Sequence, residues 1–206
     1  MQKRSVARAA VLAAALMAGG LACQPTREAA PSSARGAPRA TASSGSTRPA
    51  TATSPVARGR YLVAITGCND CHTPMAMGPN GPAPDMSRML SGHPQDLKLP
   101  PPPTGGGPWL LHGDATNTAF AGPWGISYAM NLTPDPSAAF HAFTEETFVK
   151  AMRTGKHFGE ARPIMPPMPW QAAAQMTDDD LKAVYVYLRS IPPVKNRVPD
   201  WQPPAR

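Results

Sequence analysis

Gly67-Cys68-Asn69-Asp70-Cys71-His72 decides how the chain is read. Two residues between the cysteines let both sulfurs reach the two vinyl groups along one edge of a porphyrin. A histidine directly after the second cysteine is carried under the ring, where its imidazole can bind iron. The pattern therefore implies covalent haem attachment, with Cys68 and Cys71 as the tethers and His72 as the proximal ligand. Other uses of such a pair fit less well. A structural zinc site needs four ligands, and the one further cysteine, Cys23, lies far upstream. A thioredoxin-like redox pair needs a βαβ setting that the flanks do not offer. A plain Cys68–Cys71 disulfide stays open, disfavoured by the adjacent His72 and by the export signal that precedes it.

That signal occupies residues 1–22. Lys3, Arg4 and Arg8 precede an apolar run, Ala9 to Ala18, too short for a permanent membrane span, and Gly19, Gly20 and Ala22 lead into Cys23. Leu21-Ala22-Cys23 is similar to a bacterial lipobox, so acylation of Cys23 is favoured over simple cleavage after Ala22, which would leave a lone exposed thiol. The expected location is the periplasm or cell envelope, with membrane association through a lipid anchor at Cys23. Residues 23–56, rich in Pro, Ser, Thr and Ala, cannot bury enough apolar surface to offset ordering and read as a disordered tether. Residues 57–206 remain as the haem domain.

The formal charge of +7 is misleading for that domain: residues 1–57 carry a net +6 and residues 58–206 a net +1. A nearly neutral folded part lacks the basic patch that nucleic-acid binding requires.

Residues 57–67 read as a helix with Tyr61, Leu62 and Ile65 on one apolar face. Residues 73–140 are dense in Pro and Gly, with extremes at 100–103 and 105–107, and show no sustained periodicity. Trp109, Leu110, Leu111, Phe120, Trp124 and Tyr128 punctuate the segment and are expected to fold over the haem edge. His93, His112 and His141 are candidate distal ligands, although histidines in such loops are usually solvated or hydrogen-bonded.

A clear helix follows Phe143, capped by Thr144, started by Glu145 and Glu146, striped by Phe148, Val149 and Met152, and stopped by Gly155. Arg162-Pro-Ile-Met-Pro-Pro-Met-Pro-Trp170 is extended and stiff, because proline fixes φ and removes backbone donors. Two methionines in so rigid a loop make poor adaptable filler. A thioether offered to iron makes better sense, and methionine paired with histidine raises the haem potential. Met168 is favoured, with Met165 as the alternative. The last helix carries a Thr177-x-x-Asp180 capping box, then Leu181, Val184, Tyr185 and Leu188, and ends at Ile191-Pro192-Pro193. It is expected to pack on the 57–67 helix. The fold class implied is all-α, with long Pro/Gly-rich loops. A single CxxCH element implies one haem c.

The order of these pieces resembles the class I cytochrome c family, and residues 58–199 are similar to bacterial monohaem domains that occur alone or as cytochrome subunits of periplasmic dehydrogenases. The matching elements are Gly59-Arg60-Tyr61-Leu62, Cys68-Asn69-Asp70-Cys71-His72, Asn131-Leu132-Thr133-Pro134-Asp135, Arg153-Thr154-Gly155, Met168-Pro169-Trp170 and Asp180-Leu181-Lys182-Ala183. The resemblance implies a cytochrome c-like fold and Met168 as distal ligand. It also implies an electron carrier, not an enzyme, that exchanges single electrons with redox protein partners, alone or as a subunit of a dehydrogenase complex. A second function class, a gas sensor or small peroxidase with an open or labile sixth iron position, needs polar distal donors. His112 or His157 would supply them. No nucleophile–base pair or phosphate-binding loop is visible, and Gly105–Gly107 lack the strand–helix setting of a nicotinamide fingerprint.

Overall fold

The computed structural model describes residues 53–102 and 110–204. Residues 1–52, where a signal peptide and most of a tether are expected and where Cys23 lies, are outside the described residues, as are the glycine run and Trp109. The α-helices are α1 (Pro55–Ile65), α2 (Cys68–His72), α3 (Glu145–Thr154), α4 (Trp170–Ala173) and α5 (Asp178–Ser190). Short strands β1 (Met75–Gly78) and β2 (Gly81–Pro84) form an antiparallel hairpin. Strands β3 (His112–Gly113), β4 (Ala119–Gly122) and β5 (Gly125–Tyr128) form an antiparallel sheet in that order.

The all-α expectation is therefore corrected: the expected helices form as α1, α3 and α5, but the segment between His72 and α3 folds partly as sheet. Its strands have two to four residues, and each carries Gly or Pro at one end at least. Alternation cannot be recognised over so short a window. The turn before β4 is tied by Asp114, whose Oδ1 accepts from the Thr118 and Ala119 amides at 2.9 and 2.8 Å. Phe120 is buried in β4, while Leu110 and Leu111 stand exposed, against the expectation that they cover the site.

Helix α1 starts at Pro55, two residues earlier than expected, with Ser54 as its N-cap and proline at the first helical position. Its buried face is also different. Gly59, Leu62 and Val63 face inward, while Tyr61 and Ile65 are 54 % and 58 % exposed. Glycine decides this. A Cβ at Gly59 would lie 2.0 Å from the Ala183 carbonyl oxygen, so α1 and α5 touch backbone to backbone where Gly59 lies. The face that can approach most closely wins over the face with the bulkiest residues. Gly59→Ala is expected to push the helices apart and destabilise the domain by about 2–3 kcal/mol, lowering Tm by roughly 5–10 °C; a thermal scan of the holoprotein checks it.

The predicted limits of α3 and α5 hold. Thr144 and Thr147 form a reciprocal capping box, and Gly155 closes α3 in the left-handed region at φ 66°. Thr177 accepts the Asp180 amide of α5, but the Asp180 carboxylate receives two hydrogen bonds from the Arg58 guanidinium, at 2.8 and 3.1 Å. Exposed at α1, this pair adds little stability. Leu181, Val184 and Leu188 are buried as expected, whereas Tyr185 is only half-buried and donates its hydroxyl to the Phe143 carbonyl at 2.9 Å. The core joins α1 and α5 to Phe140, Phe143, Phe148 and Leu90.

After α5 the chain runs back across the domain. Asn196 donates to the carbonyls of Ser91 and His93, and Gln202 exchanges two backbone hydrogen bonds with Ile126 of β5, at 2.8 and 3.0 Å.

Candidate functional site

Cys68, Cys71 and His72 sit on α2, a helix of five residues that follows Gly67 in the left-handed region. Side chains fix it at its far end: Thr73 Oγ1 donates to Asn69 Oδ1 at 2.9 Å and accepts the Leu90 amide at 2.9 Å. Both thiols are free and border a cavity of about 340 Å³. Burial pushes each thiol pKa up.

His72 borders the same cavity, and its Nδ1 lies 2.7 Å from the Met130 carbonyl oxygen. A carbonyl only accepts, so Nδ1 carries the proton and Nε2 keeps its lone pair. Burial lowers the pKa of the ring, opposed by the bond to Met130, and the imidazole is neutral. Histidines that bind metals are held in this way, one nitrogen donating to a carbonyl and the other unprotonated.

Met165 and Met168 both border the cavity, on the stretch between α3 and α4. The amide of Ile164 donates to the Gly155 carbonyl at 2.8 Å, and the amide of Trp170 to the Met168 carbonyl at 2.9 Å. Gly155 has a second task. A Cβ there would lie 2.4 Å from Trp170 Cε2, so the missing side chain leaves room for the indole that follows the loop. Arg153 donates to the Ala174 carbonyl and pairs with Asp178, joining α3 to the start of α5. The Arg153-Thr154-Gly155 element thus fixes the ends of the methionine loop.

The remaining histidines separate. His157 borders the cavity, and its burial, with Arg162 beside it, pushes its pKa down to about 4, so the ring is neutral at neutral pH. His93 is fully buried elsewhere, with Nδ1 2.8 Å from Thr118 Oγ1. His112 lies on β3 and His141 in the turn Ala139–Ala142, neither among the residues that border the cavity.

Sequence reasoning missed the groups that hold His72 in place. The Met130 carbonyl is invisible to side-chain patterns. Its neighbour Asn131 is 1 % exposed and donates to the carbonyls of Val194 and Asn196 at 2.8 and 3.1 Å, while its Oδ1 accepts from the Thr133 amide and hydroxyl. Asp135 accepts the Asn196 amide at 3.0 Å. The one available signal was the Asn131–Asp135 element itself, whose polar residues now have a role: they clamp the segment that carries the Met130 carbonyl. Asn131→Ala removes both halves of a buried amide network and is expected to cost about 3 kcal/mol, read as a lower urea midpoint of the holoprotein with an unchanged slope.

The cavity wall is mostly apolar, with Phe120, Phe140, Phe148, Leu181, Val184 and Leu188 among its residues. Two thiols, an imidazole with a bare nitrogen and two thioethers on one apolar cavity fit a covalently held haem.

No protein family model matches the chain. It is similar to the cytochrome c subunit of alcohol dehydrogenase (quinone) from Gluconobacter oxydans (strain 621H), 28% identical over 150 residues, covering 70% of this chain and 24% of that one. It is similar to the fructose dehydrogenase cytochrome subunit of Gluconobacter japonicus, 29% identical over 158 residues, covering 76% of this chain and 26% of that one. A shorter match, 34% identical over 77 residues, covering 36% of this chain and 17% of that one, is to the gluconate 2-dehydrogenase cytochrome c subunit of Pantoea cypripedii. The chain spans about a quarter of the length of the first two relatives.

Proposed function

We propose that this chain, whose homologues are cytochrome c subunits of dehydrogenases, is an exported monohaem c-type cytochrome that passes single electrons between redox partners. Such homologues imply haem c. Here Cys68 and Cys71 would hold it as thioethers, His72 would bind the iron through Nε2, and Met168, or in its place Met165, would supply the distal thioether. Held there, the haem would supply one-electron chemistry between ferric and ferrous iron. The chain orients the imidazole through the Met130 carbonyl, presents the thioether from a proline-stiffened loop, and keeps water away with its aromatic and aliphatic wall. The observation that carries the reading is the His72 Nδ1–Met130 bond, which leaves Nε2 the unprotonated nitrogen of a residue that borders one cavity with both cysteines and both methionines.

The relatives' names support one partner class: a dehydrogenase that delivers electrons one at a time, with this chain as a cytochrome subunit or a separate carrier. No helix among the described residues is long and apolar enough to cross a membrane. The likeness of Leu21-Ala22-Cys23 to a lipobox separately supports membrane attachment through a lipid on Cys23. Mass spectrometry of the mature N-terminus tests that assignment.

A second reading has one observation in its favour. His157 borders the cavity as a neutral imidazole, the kind of group that a gas sensor or peroxidase places beside an open iron site. One experiment separates the two. Visible spectra of the haem-loaded protein are recorded oxidised and reduced, with and without carbon monoxide. A six-coordinate low-spin spectrum with a weak far-red thioether-to-iron band, unmoved by carbon monoxide, is expected of the carrier. A high-spin spectrum that shifts with carbon monoxide would overturn it in favour of the open site.

A further inference from the structure

Ser127 of β5 is buried and borders the cavity, and its Oγ gathers three contacts. The Trp124 indole N–H donates to it at 3.3 Å. The carbonyl oxygens of Phe120 and Pro166 lie 3.2 and 2.6 Å away. A hydroxyl has one proton to give, and the shorter contact takes it. Pro166 is the residue directly after Met165 in Met165-Pro166-Pro167-Met168.

The proline content of this stretch makes the bond count for more. Pro166 and Pro167 have no N–H, so the middle of the loop can be fastened only through its carbonyls. Its outer ties are at the ends, Ile164 to Gly155 and Trp170 to Met168, and the internal turn bond from the Met168 amide to the Met165 carbonyl is long at 3.4 Å. Among the described residues, the Pro166 carbonyl is the point where the stretch from Met165 to Pro167 is hydrogen-bonded to another element. Trp124, by donating to the same oxygen, leaves its proton aimed at the loop.

We infer that Ser127 is a positioning residue: its hydroxyl fastens the Met165–Met168 loop to β5 through the Pro166 carbonyl and so holds the distal thioether in place. The inference rests on the reading above, in which this loop supplies the sixth ligand. It concerns how firmly the ligand is held, not which methionine serves.

The test uses the full-length haem-loaded protein and its Ser127→Ala, Ser127→Thr and Trp124→Phe variants. The readouts are the thioether-to-iron band, the midpoint potential and the affinity for added imidazole, which competes with the thioether. Loss of one hydrogen bond of ordinary net strength is expected to raise imidazole affinity about three- to tenfold in Ser127→Ala, with a weaker band and a lower potential. Ser127→Thr restores the hydroxyl and is expected to return all three toward wild type. Trp124→Phe keeps the hydroxyl but removes its orienting donor, and should fall between; it also carries the test if Ser127→Ala does not fold. Equal imidazole affinity in Ser127→Ala and wild type would overturn the inference, as would equal loosening in the Ala and Thr variants, which would make the effect one of packing. A wild-type protein without the thioether band would instead overturn the methionine reading, and the inference with it.

Discussion

Replacing both Cys68 and Cys71 with serine is expected to give a protein without covalent haem and without a cooperative fold. Loss of attachment follows from the chemistry, since the thioethers need the sulfurs. Loss of the fold follows from where the cavity lies. Phe140, Phe148, Leu181, Val184 and Leu188 border it, and the same residues belong to the hydrophobic core. A haem held there would therefore be part of the core, beside residues of α3 and α5 that without it would face an empty space of about 340 Å³. At about 24 cal/mol per Å³, an empty space of this size would cost on the order of 8 kcal/mol, an upper figure because water enters an open cavity. Whole domains are stable by about 5–15 kcal/mol. The haem-free chain should retain some helix by circular dichroism, lose near-ultraviolet signal from its buried aromatics, and unfold without a sharp transition. A denaturing gel stained for haem reports attachment, and a urea titration reports the fold. A haem-free double variant with the urea midpoint of the holoprotein would show that the core closes without the ligand.

Met168→Ala should have the second-largest effect, and it falls on function. Both methionines border the cavity, and the resemblance to class I cytochromes favours Met168. Thioether sulfur stabilises ferrous over ferric iron relative to oxygen or nitrogen donors, which raises the potential of His/Met sites. Its removal is expected to lower the midpoint potential on the order of 0.1 V, a modest part of the roughly 0.8 V that axial ligands span. Carbon monoxide and imidazole should then bind, and the far-red band should vanish. Met165→Ala should leave all three nearly unchanged. If the two variants exchange behaviours, Met165 is the ligand.

The parts of the molecule legible in the sequence are those whose signal is local and dense. CxxCH places three donors within five residues. Helices α3 and α5 announce themselves through caps, a glycine stop and a proline stop at known offsets, and their limits hold. The hidden parts depend on what comes near from afar. The buried face of α1 is chosen by the closeness of Ala183, more than a hundred residues away, so the run of apolar side chains pointed to the wrong residues. Strands of two to four residues show no period. His72 is oriented by a backbone carbonyl, and that carbonyl is secured by Asn131 through the carbonyls of Val194 and Asn196. No composition or spacing records such a contact.

The backward run after α5 has a consequence in time. Arg58 meets Asp180 across 122 residues of chain, and Asn196 meets Ser91 and His93 across 105 and 103. As the chain emerges, the CxxCH motif appears long before the helix that packs on α1 and the segment that clamps Asn131. Contacts this distant in sequence form slowly. For that interval Cys68 and Cys71 lie apart from Leu181, Val184 and Leu188 of α5, which later border the same cavity. The topology builds in a delay: the two thiols are made early and enclosed late.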